Sequence, residues 1–362
     1  MIPIARPIIS ESEKNNIQRV IDSGMLASGN FVKEFEESFA AYTDSNYGIA
    51  TTSGTTALHV ALEAAGIKEG DRVLTTPFTF IASSNSILYC GATPVFADVC
   101  PDSFNIDPES IRRKLEEDPD IKGLLIVHLY GLPCEMEEIM ELVEEYNLVL
   151  IEDCAQAHGA EYSGKKAGTF GKTAAYSFYP TKNMTTGEGG IVLTNDEKVM
   201  EKARMLINHG SQKRYYHQML GYNYRMTNLA AGIGLAQLEK VEEFNTKRRE
   251  NAAFLNEKLK DLDWLTVPQA PANCKHVYHQ YTVKVKDREG LISLLESEGV
   301  GYGVYYPLPV YKQPLYCKMG YQGVKLPVSE ELSETVISLP VHPALSKDDL
   351  ETIVRVVRSY RG

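Results

Sequence analysis

Short apolar segments alternate with amphipathic segments between about residues 47 and 195. Seven runs have the length and composition of β-strands: 47–52, 72–76, 94–97, 123–128, 148–152, 174–178 and 190–193. Apolar residues at helical spacing lie between several of them, over 55–65, 81–90, 108–117 and 135–146. The run 124–127 is apolar on both faces, which is typical of a sheet that helices cover on both sides. The pattern predicts an α/β fold with a mostly parallel central sheet.

The pattern changes near residue 226. Residues 227 to about 262 read as one long helix, whose length suggests a connector between two lobes or a subunit contact. Beyond residue 268, a smaller α+β unit is predicted: strands over 279–285 and 304–306, and helices over 290–298 and 347–358. One amphipathic helix, 11–21, precedes all of this. We therefore predict an N-terminal arm (1–30), a large domain (31–245) and a small C-terminal domain (246–362).

Composition excludes several classes of protein. The chain has 362 residues, of which 43% are apolar and 23% charged, so it is not intrinsically disordered. Its 37 basic and 48 acidic side chains give a net charge of −11, which argues against a broad surface for nucleic acid or for anionic membranes. No apolar run approaches the roughly 20 residues that cross a bilayer.

The N-terminus and the cysteines indicate the compartment. The first residues contain no apolar stretch long enough for a signal peptide. Six cysteines are scattered without a CxxC pattern, which favours free thiols over disulfides or a zinc site. We expect a cytoplasmic protein that binds no metal.

A glycine turn follows the first predicted strand, in the run Thr52-Ser53-Gly54-Thr55-Thr56. Backbone N–H groups at Gly54, Thr55 and Thr56, together with the dipole of the following helix, would make a cradle for a phosphate. An ordinary helix N-cap is the alternative interpretation. Neither GxGxxG nor GxxxxGK[ST] occurs here, so dinucleotide-binding and P-loop interpretations lose their main support.

The predicted strand 148–152 delivers Asp153 to its carboxyl end. A carboxylate there is costly to desolvate unless a cation accompanies it, and a protonated pyridine nitrogen would be such a cation. The alternative is an Asp that caps the next helix. Gln156 and His158 are either polar neighbours of the same ligand or satisfied loop residues.

Lys182 follows another buried strand and precedes a glycine-rich turn that contains Gly187, Gly189 and Gly190. If Lys182 is held in a crevice, desolvation lowers the pKa of its amine and frees that amine for Schiff-base chemistry. A solvated surface lysine is the alternative. Taken in chain order, the three segments supply a phosphate cradle, a partner for a pyridine nitrogen and an imine-forming lysine. Pyridoxal 5′-phosphate (PLP) needs that set.

The sequence resembles the DegT/DnrJ/EryC1/StrS sugar aminotransferases, a branch of the aspartate-aminotransferase fold, over nearly its whole length. The matching blocks include SGTTALH at 53–59, GATPVFAD at 91–98, EDCAQAHGA at 152–160, SFYPTKNMTTGEGG at 177–190, GYNYRMTNLAAGIGLAQLEK at 221–240 and SLPVHP at 338–343. The resemblance implies a large domain with a mostly parallel sheet, a smaller α+β domain, and PLP as the cofactor.

The resemblance also assigns roles to single residues. It implies that Lys182 forms the Schiff base with the cofactor and that Asp153 pairs with its ring nitrogen, while Gln156 lies near the 3′-oxygen. Phe80 occupies the position whose ring stacks on the cofactor.

Phosphate binding is assigned in the same way. The backbone amides of Thr55 and Thr56, in the turn that begins at Gly54, would hold the phosphate together with the hydroxyl of Ser177. The family is an obligate homodimer with its active sites at the interface, and Asn223 matches a residue that the neighbouring subunit contributes to the phosphate. Arg225, in the same loop, is a secondary candidate.

The activity that the resemblance implies is transfer of an amino group, from glutamate, to a nucleotide-linked keto-sugar. Dehydratases of the family carry histidine at the position of Lys182, so the lysine favours transamination. A 4-keto sugar is preferred, with His209, Arg225 and Tyr306 as candidate substrate residues. The alternatives are an aminotransferase for a 3-keto sugar or keto-cyclitol, and a non-catalytic PLP-binding regulator. A nicotinamide dehydrogenase is not supported, because this sequence lacks the glycine fingerprint of that class.

Overall fold

The computed structural model describes residues 1–360, and a seven-stranded sheet is its central feature. The strands of this part of the chain are β1 (Tyr47–Thr51), β2 (Arg72–Thr75), β3 (Thr93–Phe96), β4 (Ile121–Val127), β5 (Val149–Asp153), β6 (Glu161–Tyr162), β7 (Lys165–Lys166), β8 (Thr173–Ser177), β9 (Gly190–Thr194), β10 (Ser211–Lys213), β11 (Tyr216–His217), β12 (Leu265–Thr266), β13 (Cys274–Lys275), β14 (Tyr281–Val285) and β15 (Val336–Leu339).

The central sheet has the order β1-β9-β8-β5-β4-β2-β3. The run from β8 to β3 is parallel throughout, and β9 pairs antiparallel with both of its neighbours. All seven strands lie within one or two residues of the predicted runs. The prediction of an α/β fold with a mostly parallel sheet is confirmed.

Helices join the strands of the central sheet and also pack on a smaller C-terminal sheet. They are α1 (Glu11–Ser23), α2 (Asn30–Tyr42), α3 (Gly54–Ala65), α4 (Ala82–Tyr89), α5 (Pro108–Glu117), α6 (Met136–Glu145), α7 (Glu197–Leu206), α8 (Asn228–Leu238), α9 (Val241–Leu259), α10 (Arg288–Ser297), α11 (Pro314–Lys318), α12 (Pro327–Thr335) and α13 (Lys347–Ser359). Several begin at side-chain caps, such as Asp107 before α5 and Ser346 before α13.

The prediction of one long helix over 227–262 is wrong. Two helices, α8 and α9, occupy this stretch and are separated at Glu239 and Lys240. The Lys240 ammonium is drawn to α1, where it pairs with the buried carboxylate of Glu13 and donates to the Ser10 hydroxyl. Apolar residues continue through the break, so their spacing does not reveal this tertiary contact.

The C-terminal part contains a three-stranded antiparallel sheet in the order β12-β14-β15. Helices α9, α10 and α13 pack on it around a separate apolar cluster that includes Tyr281, Leu291 and Ile353. The predicted strand 304–306 does not form; Gly303 makes a single bridge to Ser338 instead. Tyr305 and Tyr306 pack against the large-sheet cluster around Phe78, which takes them away from a strand pairing.

The predicted boundary between the large and small domains, at 245/246, falls inside α9, and the division into arm and two domains stays a prediction. Residues 361 and 362, assigned to the small domain, lie outside the described residues. No helix within residues 1–360 combines the length and the apolar character that a bilayer crossing requires.

Candidate active site

The carboxyl ends of β5 and β8 meet the turn after β1 at one edge of the central sheet. Asp153 is the last residue of β5 and lies opposite Val127 and Ala175. Ser177, which ends β8, lies opposite Gly190, and Gly190 also faces the end of β1. Open parallel sheets bind their ligands at such an edge. The strand register therefore brings the three candidate segments together.

A cavity of about 600 Å³ opens at this edge. Eight of the predicted site residues line it: Gly54, Thr55, Phe80, Asp153, Gln156, Ser177, Lys182 and Tyr306. Its other wall comes from the C-terminal part of the chain, through His279, Gln280 and Tyr305. The cavity thus lies between the central sheet and the smaller sheet, where a ligand is shielded from bulk water on two sides.

Lys182 is partly buried in the wall of this cavity. Desolvation disfavours its charged form and lowers the pKa of the amine to about 8, against an opposing contribution from the negative charge of Asp153. The amine is therefore neutral in a substantial fraction of molecules near pH 8. A neutral amine is the form that attacks a carbonyl carbon.

Asp153 is buried and held in place by two hydrogen bonds. The Ser83 hydroxyl donates to one carboxylate oxygen at 2.7 Å, and the N–H of Ala155 donates to the other at 3.1 Å. Burial nevertheless raises the pKa of this carboxyl, because these bonds and the charge of Lys182 offset only part of the desolvation. A cationic ring nitrogen in the cavity would lower that pKa and keep the carboxylate charged.

The turn at the start of α3 has free donors. Ser53 caps the helix by accepting from the N–H of Thr56 at 3.2 Å, so Thr56 is engaged and does not line the cavity. The N–H groups of Gly54 and Thr55 have no acceptor within residues 1–360. A Cβ on Gly54 would lie 2.5 Å from the Cβ of Ser177, so only glycine lets this turn approach β8. The geometry suits an anion held by backbone amides.

Aromatic and amide groups complete the cavity. Phe80 is 58% exposed, although large apolar rings are usually buried, and its open face is available to a flat ligand. Gln156 is fixed at both ends of its amide: it accepts from the N–H of Tyr130 at 2.8 Å and donates to the Tyr306 hydroxyl at 3.2 Å. A flat ring could therefore lie between Phe80 and the end of β5.

Besides Thr56, three predicted residues lie outside this cavity. Asn223 and His209 are exposed on the surface. Arg225 lines a different depression and donates to the Asn208 side chain at 2.5 Å. The segment that carries them still touches the anion turn, because the N–H of Thr52 donates to the carbonyl of Tyr224. The segment of Asn223 therefore touches the anion turn, but neither Asn223 nor His209 lines the cavity.

Several residues at the cavity were not predicted from the sequence. Ser83, which holds Asp153, lies at the start of α4, where the polar pair Thr79 and Ser83 was a detectable signal. Tyr130, His279 and Gln280 approach through tertiary packing, and no local pattern identifies them. His158, named as a possible polar neighbour of the ligand, instead lies among the rings of Phe39, Tyr176 and Phe178.

A buried group of potential metal ligands lies beneath the site, formed by His128, Glu152 and Cys154. Both oxygens of Glu152 are already engaged: three N–H groups within 168–171 and Nε2 of His128 donate to them, at 2.6–3.0 Å. We read this group as a network that supports the end of β5.

The cavity residues fit PLP. Free amides at Gly54 and Thr55 suit its phosphate, buried Asp153 suits its ring nitrogen, and the amine of Lys182 suits its aldehyde. The open face of Phe80 suits its ring.

The comparisons with known proteins agree. A family model, the DegT/DnrJ/EryC1/StrS aminotransferase family, matches residues 7–358. Over 357 residues the chain is 39% identical to a "Pleiotropic regulatory protein" of Geobacillus stearothermophilus, covering 97% of this chain and 95% of that one. It is 38% identical over 373 residues to a GDP-perosamine synthase of Escherichia coli O157:H7, covering 99% and 98%.

A solved structure is similar as well. DesV of S. venezuelae, in complex with a ketimine intermediate, superposes with a TM-score of 0.93 at 34% identity, over 96% of this chain and 94% of that one. Sequence and structure matches both span nearly the whole chain. The chain therefore belongs to the DegT/DnrJ/EryC1/StrS family of PLP-dependent sugar aminotransferases.

Proposed function

We propose that this enzyme moves an amino group from glutamate to a nucleotide-linked 4-keto sugar, with Lys182 and Asp153 as its catalytic residues. The observation that carries the proposal is that one cavity holds a desolvated lysine amine, a buried carboxylate and a free anion cradle. Bound PLP supplies an aldehyde and a ring that accepts electrons.

Lys182 has two tasks in this proposal. Its amine would hold the cofactor between turnovers and, when free, would take up the proton from Cα of the donor and return a proton later. The pKa of about 8 suits both tasks, because the amine can take up and release a proton near neutral pH.

Asp153 keeps the ring nitrogen protonated. The Ser83 hydroxyl and the N–H of Ala155 fix the direction of its carboxylate, so the negative charge is in place before the reaction starts. Gly54, Thr55 and Ser177 would hold the phosphate, Phe80 would cover one ring face, and Gln156 would lie beside the ring. The backbone amide of Thr56, assigned to the phosphate by the family resemblance, would first have to leave the Ser53 hydroxyl to which it donates.

The substrate class is supported by the relative named GDP-perosamine synthase, which points to a nucleotide sugar. The preference for a 4-keto sugar rests on the TTGEGG run after Lys182. Tyr306 lies where it could contact the sugar from the small-sheet side.

We further propose that the enzyme works as a homodimer. Asn223 and His209 are exposed and do not line their own cavity, which is the placement expected if they, with Arg225, serve the cavity of a second copy. All six cysteines are free thiols, which supports a cytoplasmic location.

A panel of ketones tests the substrate proposal. The enzyme is first converted to its amino form with glutamate, and each ketone is then added while the visible band of the aldehyde form is followed. We expect the fastest return of the band with a nucleotide-linked 4-keto sugar. Faster return with a 3-keto sugar or a keto-cyclitol would support those alternatives instead.

A regulatory role is the second candidate, because one relative is named a pleiotropic regulatory protein. The same assay separates the two. A pure regulator would bind PLP yet show no conversion with any amino donor, whereas an enzyme loses its visible band with glutamate.

A further inference from the structure

Lys182 stands in a loop of nine residues, 178–186, which we call the Lys182 loop. Two bonds close this loop on itself: the Thr185 hydroxyl and the N–H of Thr186 both donate to the carbonyl of Phe178, at 2.8 and 3.0 Å. These bonds set the shape of the loop. Its position in the protein depends on contacts from outside.

The side chain of Gln237 makes one of these outside contacts. Gln237 is the penultimate residue of α8 and only 2% exposed, and its Oε1 accepts the N–H of Thr185 at 3.3 Å. Its Nε2 donates to the carbonyl of Ile8 at 2.8 Å and to Oε1 of Glu13 at 2.6 Å. Both hydrogens of the amide are therefore used, and the reversed amide would place its oxygen against two other acceptors.

Glu13 fixes the far side of this amide. Its carboxylate is fully buried, pairs with the ammonium of Lys240 and accepts the N–H of Ser10 at 2.8 Å. Burial alone would raise the pKa of Glu13, but these partners and Gln237 lower it to about 2, so the carboxylate stays charged at neutral pH. A charged acceptor strengthens the bond from Nε2. Gln237 is therefore firmly held where it links the N-terminal arm to the Lys182 loop.

The arm packs directly behind the Lys182 loop. A second, much smaller cavity of about 10 Å³ lies there, between residues 5–8 of the arm on one side and Thr181 and Lys182 on the other. Thr181 and Lys182 also line the main cavity, so the loop separates the arm from the site. Of these two cavities, Gln237 lines only the smaller one. It can therefore act on the site only through the loop.

We propose that Gln237 is a positioning residue for Lys182: it ties the Lys182 loop to the N-terminal arm and so holds the lysine amine where it takes the proton from the amino donor. This inference rests on the proposed function of Lys182. Without the link, the N–H of Thr185 would lose its acceptor and the loop would be free to shift. Proton transfer requires the base within hydrogen-bond reach of the proton, so the reaction would slow although no group in the main cavity had changed.

Gln237→Met tests the link, because it keeps the length of the side chain and removes its three hydrogen bonds. In the PLP-loaded enzyme, the single-turnover reaction with glutamate is followed by the loss of the visible band. The rate constant at saturating glutamate should fall about two- to tenfold, the effect of one neutral hydrogen bond, since the side chain of Asn183 still ties the loop to Asn245.

Two further quantities from the same experiment separate positioning from loss of structure. The glutamate concentration that gives half the maximal rate should stay within about twofold of wild type, because no residue of the main cavity is changed. The amplitude reports the fraction of active enzyme. A variant that is only partly folded would lose amplitude and keep the wild-type rate constant.

Hydrogen exchange reads the link without any reaction. In the PLP-loaded protein, peptides that cover 178–186 should exchange faster in Gln237→Met than in wild type, because the N–H of Thr185 has lost its acceptor. If Gln237→Met does not fold, Gln237→Asn takes its place, since its amide is one methylene too short to span the three partners.

Asn16→Ala is the matched control. It removes a different bond between α1 and α8, from the Asn16 amide to the carbonyl of Gly232 at 3.0 Å, and leaves Gln237 intact. Exchange over 178–186 and the rate constant should both stay at their wild-type values.

The proposal is overturned if Gln237→Met keeps the wild-type rate constant, if exchange over 178–186 does not change, or if Asn16→Ala slows the reaction equally. Failure of the wild-type enzyme to react with glutamate would instead count against the proposed function. The exchange result would then still decide whether Gln237 holds the loop.

Discussion

At the scale of single residues, burial shifts the pKa values of Lys182 and Asp153 in opposite directions, but it favours the neutral form of both groups. It lowers the pKa of the amine to about 8 and raises the pKa of the carboxyl, so each group is pushed towards its neutral form. A cofactor that brings an aldehyde and a cationic ring nitrogen satisfies both. The buried amine of Lys182 and the buried carboxyl of Asp153 therefore suit a ligand that carries these two complementary groups.

The titration of Lys182 gives the first prediction. A lysine whose pKa is lowered to about 8 reacts as the free amine, so the rate of PLP capture by the cofactor-free enzyme should rise about tenfold per pH unit below pH 8 and level off above it. Stopped-flow absorbance measures this rate. Nα-acetyl-lysine is the control, and its rate should continue to rise beyond pH 10. A capture rate that follows the control would contradict the desolvated amine.

The second prediction concerns Asp153. Asp153→Asn leaves a neutral amide beneath the ring nitrogen, so we expect the half-reaction with the amino donor to slow by roughly 10²-fold or more, while PLP still binds to Lys182. Asp196→Asn makes the same change at an exposed helix cap and should have no such effect. A rate for Asp153→Asn within about threefold of wild type would show that the carboxylate is not required.

At the scale of elements, the site lies where the ends of several strands meet, and this placement could be predicted from the sequence. Two-sided apolar runs locate the strands, and parallel pairing brings Asp153 and Ser177 to the same edge as the turn at Gly54. Long-range contacts were not predictable. The break between α8 and α9 depends on Glu13, more than 200 residues away, and the cavity wall at His279 depends on how the smaller sheet packs.

The turn before α3 gives the third prediction. Gly54→Ala forces its Cβ against Ser177, which must displace the start of the helix, so we expect the affinity for PLP to fall at least about tenfold and the protein to lose about 1–3 kcal/mol of stability. Gly323→Ala is the matched control, because its Cβ would meet no atom within 4 Å. Titration with PLP and thermal melting measure both effects. Unchanged affinity in Gly54→Ala would exclude this turn as the phosphate cradle.

At the scale of the whole molecule, Asn223 does not line the cavity of its own chain. The family resemblance nevertheless assigns this residue to a phosphate site, that of the neighbouring subunit. Its segment touches the anion turn through Tyr224, yet its side chain is exposed. A second copy placed on this surface would reconcile the two observations. We therefore predict that each active site is built from two chains.

Mixed dimers provide the fourth prediction. Lys182→Ala and Asn223→Ala proteins should each be impaired alone. When they are mixed, unfolded and refolded together, half of the dimers are mixed, and each of these carries one site with both native residues. We expect about one quarter of wild-type activity to return. If each chain contributes its own Asn223, mixing would restore nothing.

The bond between Lys182 and the cofactor is the most direct test of the whole account. Borohydride converts a C=N bond into a stable C–N bond, so treatment of the PLP-loaded enzyme, followed by digestion and mass spectrometry, identifies the attached lysine. We predict a single modified peptide, the one that contains Lys182, and none from Lys182→Ala. Attachment at a different lysine, or no attachment in the folded wild-type enzyme, would contradict the account.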